Sequence, residues 1–63
     1  MKKFKVSFLT MHESYNGYEH SDGWKDYFVE ARHAKSAESK AKKLWKKDFN
    51  NAYWIRNTSI SII

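Results

Sequence analysis

The chain opens on strict alternation. Lys3-Phe4-Lys5-Val6-Ser7-Phe8 puts apolar side chains at 4, 6 and 8 and polar ones between them, which predicts a strand with one buried and one wet face. Leu9, Thr10 and Met11 extend it. From His12 to Gly23 the pattern gives way to turn chemistry. Asn16-Gly17 and Asp22-Gly23 both tolerate the positive φ of tight turns, so this segment reads as one long loop or irregular turn holding Tyr15, Tyr18, His12 and His20. Trp24 to Arg32 reads as a second strand. Tyr27, Val29 and Ala31 face inward there, and Phe28, Glu30 and Arg32 face out. A non-crossing connection makes the two strands antiparallel.

The period then changes to that of a helix. With Ala37 at the origin of a wheel of about 100° per residue, Ala41, Leu44 and Trp45 fall on one arc and Phe49 at its margin. Lys40, Lys42, Lys43, Lys46 and Lys47 fill the opposite arc. Ser36 is the natural N-cap, Glu38 suits the positive end of the helix dipole and Lys46 and Lys47 its negative end. Asn50-Asn51 supplies residues that accept the left-handed closing conformation. The expected helix spans 36 to 48, loosened near Asp48, which lies inside the apolar arc. Ala52 to Ile63 is aromatic and β-branched and predicts a third strand. Its parity is split: Tyr53 and Ile55 share one face, and Trp54, Thr58, Ile60 and Ile62 the other. A bulge near Arg56-Asn57 reconciles them, with Ile60-Ser61-Ile62 as the regular, buried part.

Strand, strand, helix, strand makes an α+β fold, ββαβ, with a three-stranded antiparallel sheet and one helix packed on one face. The helix covers one side only. The open face would carry Lys3, Lys5, Ser7, Phe28 and Glu30, with Trp54 and Arg56. All 63 residues form a single domain, small enough that the aromatics must supply much of the buried area. Eleven of them, four Phe, four Tyr and three Trp, do so without any cysteine to staple the fold.

Charge narrows the partner. The formal net charge is +5, which favours acidic protein surfaces or phosphate backbones. Of the twelve basic residues ten are lysines, and lysine supplies a point charge rather than the fork that reads bases. A lysine-covered helix face is ordinarily a solvated surface. No apolar run is long enough for a membrane span, and Met1-Lys2-Lys3 reads as a native start rather than a targeting segment. The expected setting is the cytoplasm.

No catalytic signature is present. Serines and histidines occur without a recognisable nucleophile motif, and the small domain offers little room for a shielded pocket. Metal binding would draw on His12, Glu13, His20, Asp22 and His33, a spacing that matches no tight ligand pattern. The chain therefore reads as a binding protein and not an enzyme, with no cofactor and no metal. The candidate contact residues are Tyr15, Tyr18, Trp24, Phe28 and Trp54, as aromatic anchors, and Lys40, Lys43, Lys47 and Arg56, as charges.

Phe28-Val29-Glu30-Ala31, followed by Ser36-Ala37-Glu38 and Leu44-Trp45, resembles the strand-to-helix junction of small proteins encoded by phages and mobile elements. Among them are anti-CRISPR inhibitors of type II (Cas9) systems. The likeness covers residues 27 to 45. It implies a non-enzymatic inhibitor that blocks a host defence nuclease by protein–protein contact. Inhibitors that mimic DNA are acidic, and this chain is basic. The expected partner is therefore a host protein or ribonucleoprotein with an acidic surface, bound by a monomer or homodimer. The alternative is a small basic nucleic-acid-binding protein with lysine-driven, largely sequence-independent binding.

Overall fold

The computed structural model describes all 63 residues as an α+β domain of order ββαβ: β1 (Lys2–Glu13), β2 (Glu19–Ala31), α1 (Ala34–Asp48) and β3 (Tyr53–Ile62). β1 is the central strand, antiparallel to both neighbours, in the order β2-β1-β3. The alternation that opens the sequence determines which face is covered. Phe4, Val6 and Phe8 point toward α1 and join Ala31, Ala37, Ala41 and Trp45 in one buried cluster. Tyr27 and Val29 pack against it, as their inward parity requires. The helix lies over β1 and β2.

The second strand begins earlier than its composition suggests. The segment expected to be one long loop is mostly ladder: His12 pairs with His20 and Glu13 with Glu19. Only residues 14 to 18 turn, closed by hydrogen bonds from the Ser14 amide to the Tyr18 carbonyl (2.8 Å) and from the Gly17 amide to the Ser14 carbonyl (2.9 Å). Gly17, at φ 88°, serves Asn16-Gly17 as a true turn. Asp22-Gly23 is instead a bulge. Thr10 pairs with Gly23 and Met11 with Ser21, which leaves Asp22 without a partner. Gly23 takes φ 81°, and positive φ at one residue is how many bulges absorb the extra position.

The helix is offset from its expected start. It begins at Ala34, and its N-cap is His33 rather than Ser36. The extended His33 turns its imidazole so that Nδ1 accepts from the Ser36 amide at 3.4 Å. Glu38 consequently lies beyond the first turn, which holds no acidic residue, while Lys46 and Lys47 do occupy the last. No left-handed residue closes the helix: Phe49 caps it in an extended conformation, and neither Asn50 nor Asn51 has positive φ. Asn50 contributes through its side chain, which accepts from the Ala52 amide at 2.9 Å. Leu44, expected in the core, is 39% exposed. The buried stripe is the narrower Ala37, Ala41, Trp45.

Asp48, which lies inside the apolar arc, receives a hydrogen bond from the Tyr27 hydroxyl at 2.8 Å. Burial first, then that bond and the carboxylate's charge, push the Tyr27 hydroxyl up to about 12 from 10.0. The folded state therefore holds this proton more tightly than the unfolded chain does. Its contribution is complete below pH 10 and disappears as pH rises toward 12. In denaturant titrations the wild type should lose stability across that window, and Tyr27→Phe should lose visibly less. Equal slopes for the two proteins would contradict the linkage.

β3 contains the bulge that its split parity demands. Leu9 pairs with Asn57 and Thr10 with Ile55, so Arg56 is the extra residue. Beyond it Thr58, Ile60 and Ile62 lie on the helix side, opposite Phe8, Val6 and Phe4. The expected burial of Ile60-Ser61-Ile62 is only partial. Ile60 is half-buried and Ile62 is 63% exposed, because the helix covers β1 and β2 and stops short of β3.

A helix of 15 residues runs about 22 Å and a strand of 13 about 44 Å. The helix thus shelters only part of the sheet's length in a molecule measuring 45 × 17 × 14 Å. Past the end of α1, aromatic side chains continue the cover. Trp45 stacks on Phe49 (5.3 Å), Phe49 meets Tyr53 edge-on (5.2 Å), Tyr53 lies against His12 (5.5 Å) and His12 stacks on His20 (5.3 Å).

Candidate functional site

The face of the sheet turned away from α1 carries the odd positions of β1: Lys3, Lys5, Ser7, Leu9, Met11 and Glu13. Their direct partners share that face: Glu30, Phe28, Asp26, Trp24, Ser21 and Glu19 on β2, and Ser61, Ser59, Asn57 and Trp54 on β3. Neighbouring side chains confirm the orientation. Lys25, next to Trp24, reaches back over the Phe49 ring, and Tyr53, next to Trp54, packs against Phe49 on the helix side.

This open face divides into two halves. Near the chain ends it is polar. The Ser7 hydroxyl donates to Asp26 at 2.5 Å, and Lys5 approaches the same carboxylate at 3.8 Å. Phe28, 67% exposed, stands opposite Lys5. Toward the hairpin the face turns apolar at Leu9 and Met11 before it ends on Glu13 opposite Glu19. Trp24 is directly across from Leu9 and Trp54 directly across from Met11, on flanking strands about 10 Å apart. Met11 is only 5% exposed, yet it has no helix above it and lies outside the core cluster. Its direct ladder partners on that face are Ser21 and Trp54. Trp24, by contrast, leaves 49% of its surface in solvent. Exposed indole beside a sheltered thioether is an apolar surface with a preformed floor, the composition of interface hot spots.

The other expected contact residues lie elsewhere. Tyr15 and Tyr18 stand fully or largely exposed at the hairpin tip. Arg56 occupies the β3 bulge, outside the ladder. Lys40 is committed to structure, its ammonium donating to the Glu30 carbonyl at 2.6 Å. Lys43 and Lys47 are exposed on the outer side of α1, across the molecule from the tryptophans. The structure thus brings Trp24, Phe28 and Trp54 to one face, away from Lys43 and Lys47, while Trp54 at the β3 edge also lines a pocket with Lys42 and Lys46 of α1. Leu9 and Met11 were missed as parts of this surface. The signal was present: the odd series Lys3, Lys5, Ser7, Leu9, Met11 turns from polar to apolar at Leu9.

Charge is divided in the same way. The open face sets Lys3 and Lys5 against Glu13, Glu19, Asp26 and Glu30, whereas α1 sets six lysines against Glu38 and Asp48. No helix lysine lies within salt-bridge distance of a carboxylate; the lysine ion pair is Lys5–Asp26, and His12 is hydrogen-bonded to Asp22. Among the histidines, His12 Nδ1 is 2.7 Å from Asp22 and His33 caps the helix. No group of three or more potential metal ligands converges, and no helix is long and apolar enough to cross a membrane.

The fold and this surface define a small α+β domain with one covered and one open sheet face. The chain matches no family model, no curated protein and no solved structure.

Proposed function

We propose that this chain is a small non-enzymatic binding protein that engages another protein through the open face of its sheet, with Trp24 and Trp54 as anchors around Leu9 and Met11. The observation that carries this reading is the placement of exposed Trp24 and half-buried Trp54 on the face that the helix leaves bare. The resemblance of residues 27 to 45 to phage-encoded anti-CRISPR proteins supports a narrower version: the partner is a host defence nuclease, and binding blocks it. Because the open face has more carboxylates than lysines, its complement is a neutral to basic protein surface. The acidic complement inferred from net charge belongs to the helix side.

Sequence-independent nucleic-acid binding is the second reading, favoured by the unpaired lysines of α1. Single-strand binding works best when cations and stacking aromatics line one groove; Lys42 and Lys46 share one pocket with Phe49, Tyr53 and Trp54, whereas Trp24 and Phe28 lie on the open face away from the helix lysines. Two measurements separate the readings. The chain should inhibit DNA cleavage by a purified type II CRISPR effector and should show no affinity for generic DNA or RNA at low salt. Cleavage that proceeds unaffected would overturn the narrower reading. Nucleic-acid binding that weakens steeply with salt, with the effector left unbound, would overturn protein contact altogether.

A further inference from the structure

Both outer strands of a three-stranded sheet expose backbone groups, and the two edges here are treated differently. β2 is blunted. It carries Lys25, Asp26 and Glu30, it is bulged at Asp22, and its Glu30 carbonyl is taken by Lys40 from the helix. Charges and bulges of this kind protect an edge from pairing with another chain. β3 has such protection only at Arg56, where it bulges. From Asn57 to Ile63 it has no charged side chain, no proline and no further irregularity.

The ladder shows which groups are free. The Ile63 amide donates to the Lys3 carbonyl at 2.9 Å, and Phe4 stands opposite Ile62. Antiparallel ladders alternate bonded and non-bonded pairs, so Asn57, Ser59, Ser61 and Ile63 bond to β1. The N–H and C=O groups of Thr58, Ile60 and Ile62 therefore point away from the sheet. The side chains of these same residues lie on the helix side where α1 gives no cover, Thr58 exposed, Ile60 half-buried and Ile62 63% exposed.

We propose that β3 pairs antiparallel with β3 of a second copy of this chain, about a two-fold axis through Ile60, to make a continuous six-stranded sheet. In that register Ile60 meets Ile60, and Thr58 meets Ile62 on both sides of the axis. All three outward-facing residues then form bonded pairs, about six hydrogen bonds in all, and the isoleucines become a contiguous apolar stripe. The partner is a second copy because the strand's pattern is complementary to itself. Charge points the same way: two chains of +5 repel each other, and an edge without charged side chains from Asn57 onward is where they can approach. The axis stands perpendicular to the sheet, so the two open faces lie on the same side and the Trp24/Trp54 surface is doubled.

Sedimentation equilibrium with hydrogen exchange tests this. The wild type should reach twice the 7.6 kDa chain mass as concentration rises. The amides of Thr58, Ile60 and Ile62 should exchange fast when dilute and slowly when concentrated, while Ser59 and Ser61 stay protected throughout. Thr58→Lys with Ile62→Lys should give a monomer at every concentration with an unchanged far-ultraviolet spectrum. Thr58→Pro, which removes an outward amide and no bond to β1, should give the same result by a different route. A monomeric wild type overturns the proposal. So does a dimer that survives these substitutions, or one in which the three amides still exchange fast.

Discussion

Trp45→Ala should leave the chain largely unfolded at 25 °C. Trp45 is the one large helix side chain in the buried cluster, with Phe8 meeting it edge-on at 6.5 Å and Phe49 stacked on it at 5.3 Å. Truncating a buried aromatic to alanine costs about 3–5 kcal/mol. At about 0.05–0.15 kcal/mol per residue, a domain of this length holds roughly 3–9 kcal/mol in total. The indole also has a polar role: its Nε1–H donates to the Thr10 hydroxyl at 2.9 Å, and Thr10 is fully buried. Trp45→Phe keeps most of the ring volume but leaves that hydroxyl without its donor, at a cost of about 1–3 kcal/mol. Adding Thr10→Val in the Trp45→Phe background should recover part of the loss, since an apolar group has no lost partner. Circular dichroism and denaturant titration measure all three variants. If Trp45→Ala unfolds cooperatively with less than about 1 kcal/mol lost, the helix is not held in the way described.

Trp24→Ala with Trp54→Ala should abolish partner binding and leave the fold intact. Neither residue belongs to the buried cluster, so their loss falls on the surface. Interface tryptophans that act as anchors cost about 2 kcal/mol or more when truncated, roughly 30-fold in affinity each. Lys43→Glu with Lys47→Glu changes more charge and should change affinity far less, because those side chains project from the opposite side. Lys40→Glu is a poor addition to that pair, since its bond to the Glu30 carbonyl would confound stability with binding. The reverse outcome, tryptophans dispensable and lysines essential, would move the contact to the helix.

The parts of the fold legible in the sequence were those where one local rule acts alone. Alternation at Phe4, Val6 and Phe8 revealed β1 and its buried face, and the spacing of Ala37, Ala41 and Trp45 revealed the helix stripe. The split parity of β3 required the bulge found at Arg56. Errors came where two rules competed. Asp22-Gly23 satisfies turn chemistry and bulge chemistry equally, and only the pairing of Met11 with Ser21 decides between them. Ser36 is a better intrinsic cap than His33, yet the helix starts where the chain leaves β2 and an imidazole is long enough to cap it. Leu44 fits the apolar arc, but the helix lies toward β2 and leaves it at the rim. The open face was anticipated from Phe28 and Trp54. Its apolar half was not, because strict alternation ends at Phe8 and the run Leu9-Thr10-Met11 carries no apolar-polar parity that marks its outward face.

The three tryptophans carry their own control. Trp24 and Trp54 flank the open face, and Trp45 lies in the core on the other side of the sheet. In an isotope-labelled sample titrated with a purified type II CRISPR effector, the indole N–H signals of Trp24 and Trp54 should shift or broaden, while the backbone amides of Lys42 to Lys47 and the Trp45 indole hold their positions. Perturbation of those helix amides with both surface indoles unmoved would contradict the assignment of the open sheet face as the binding surface.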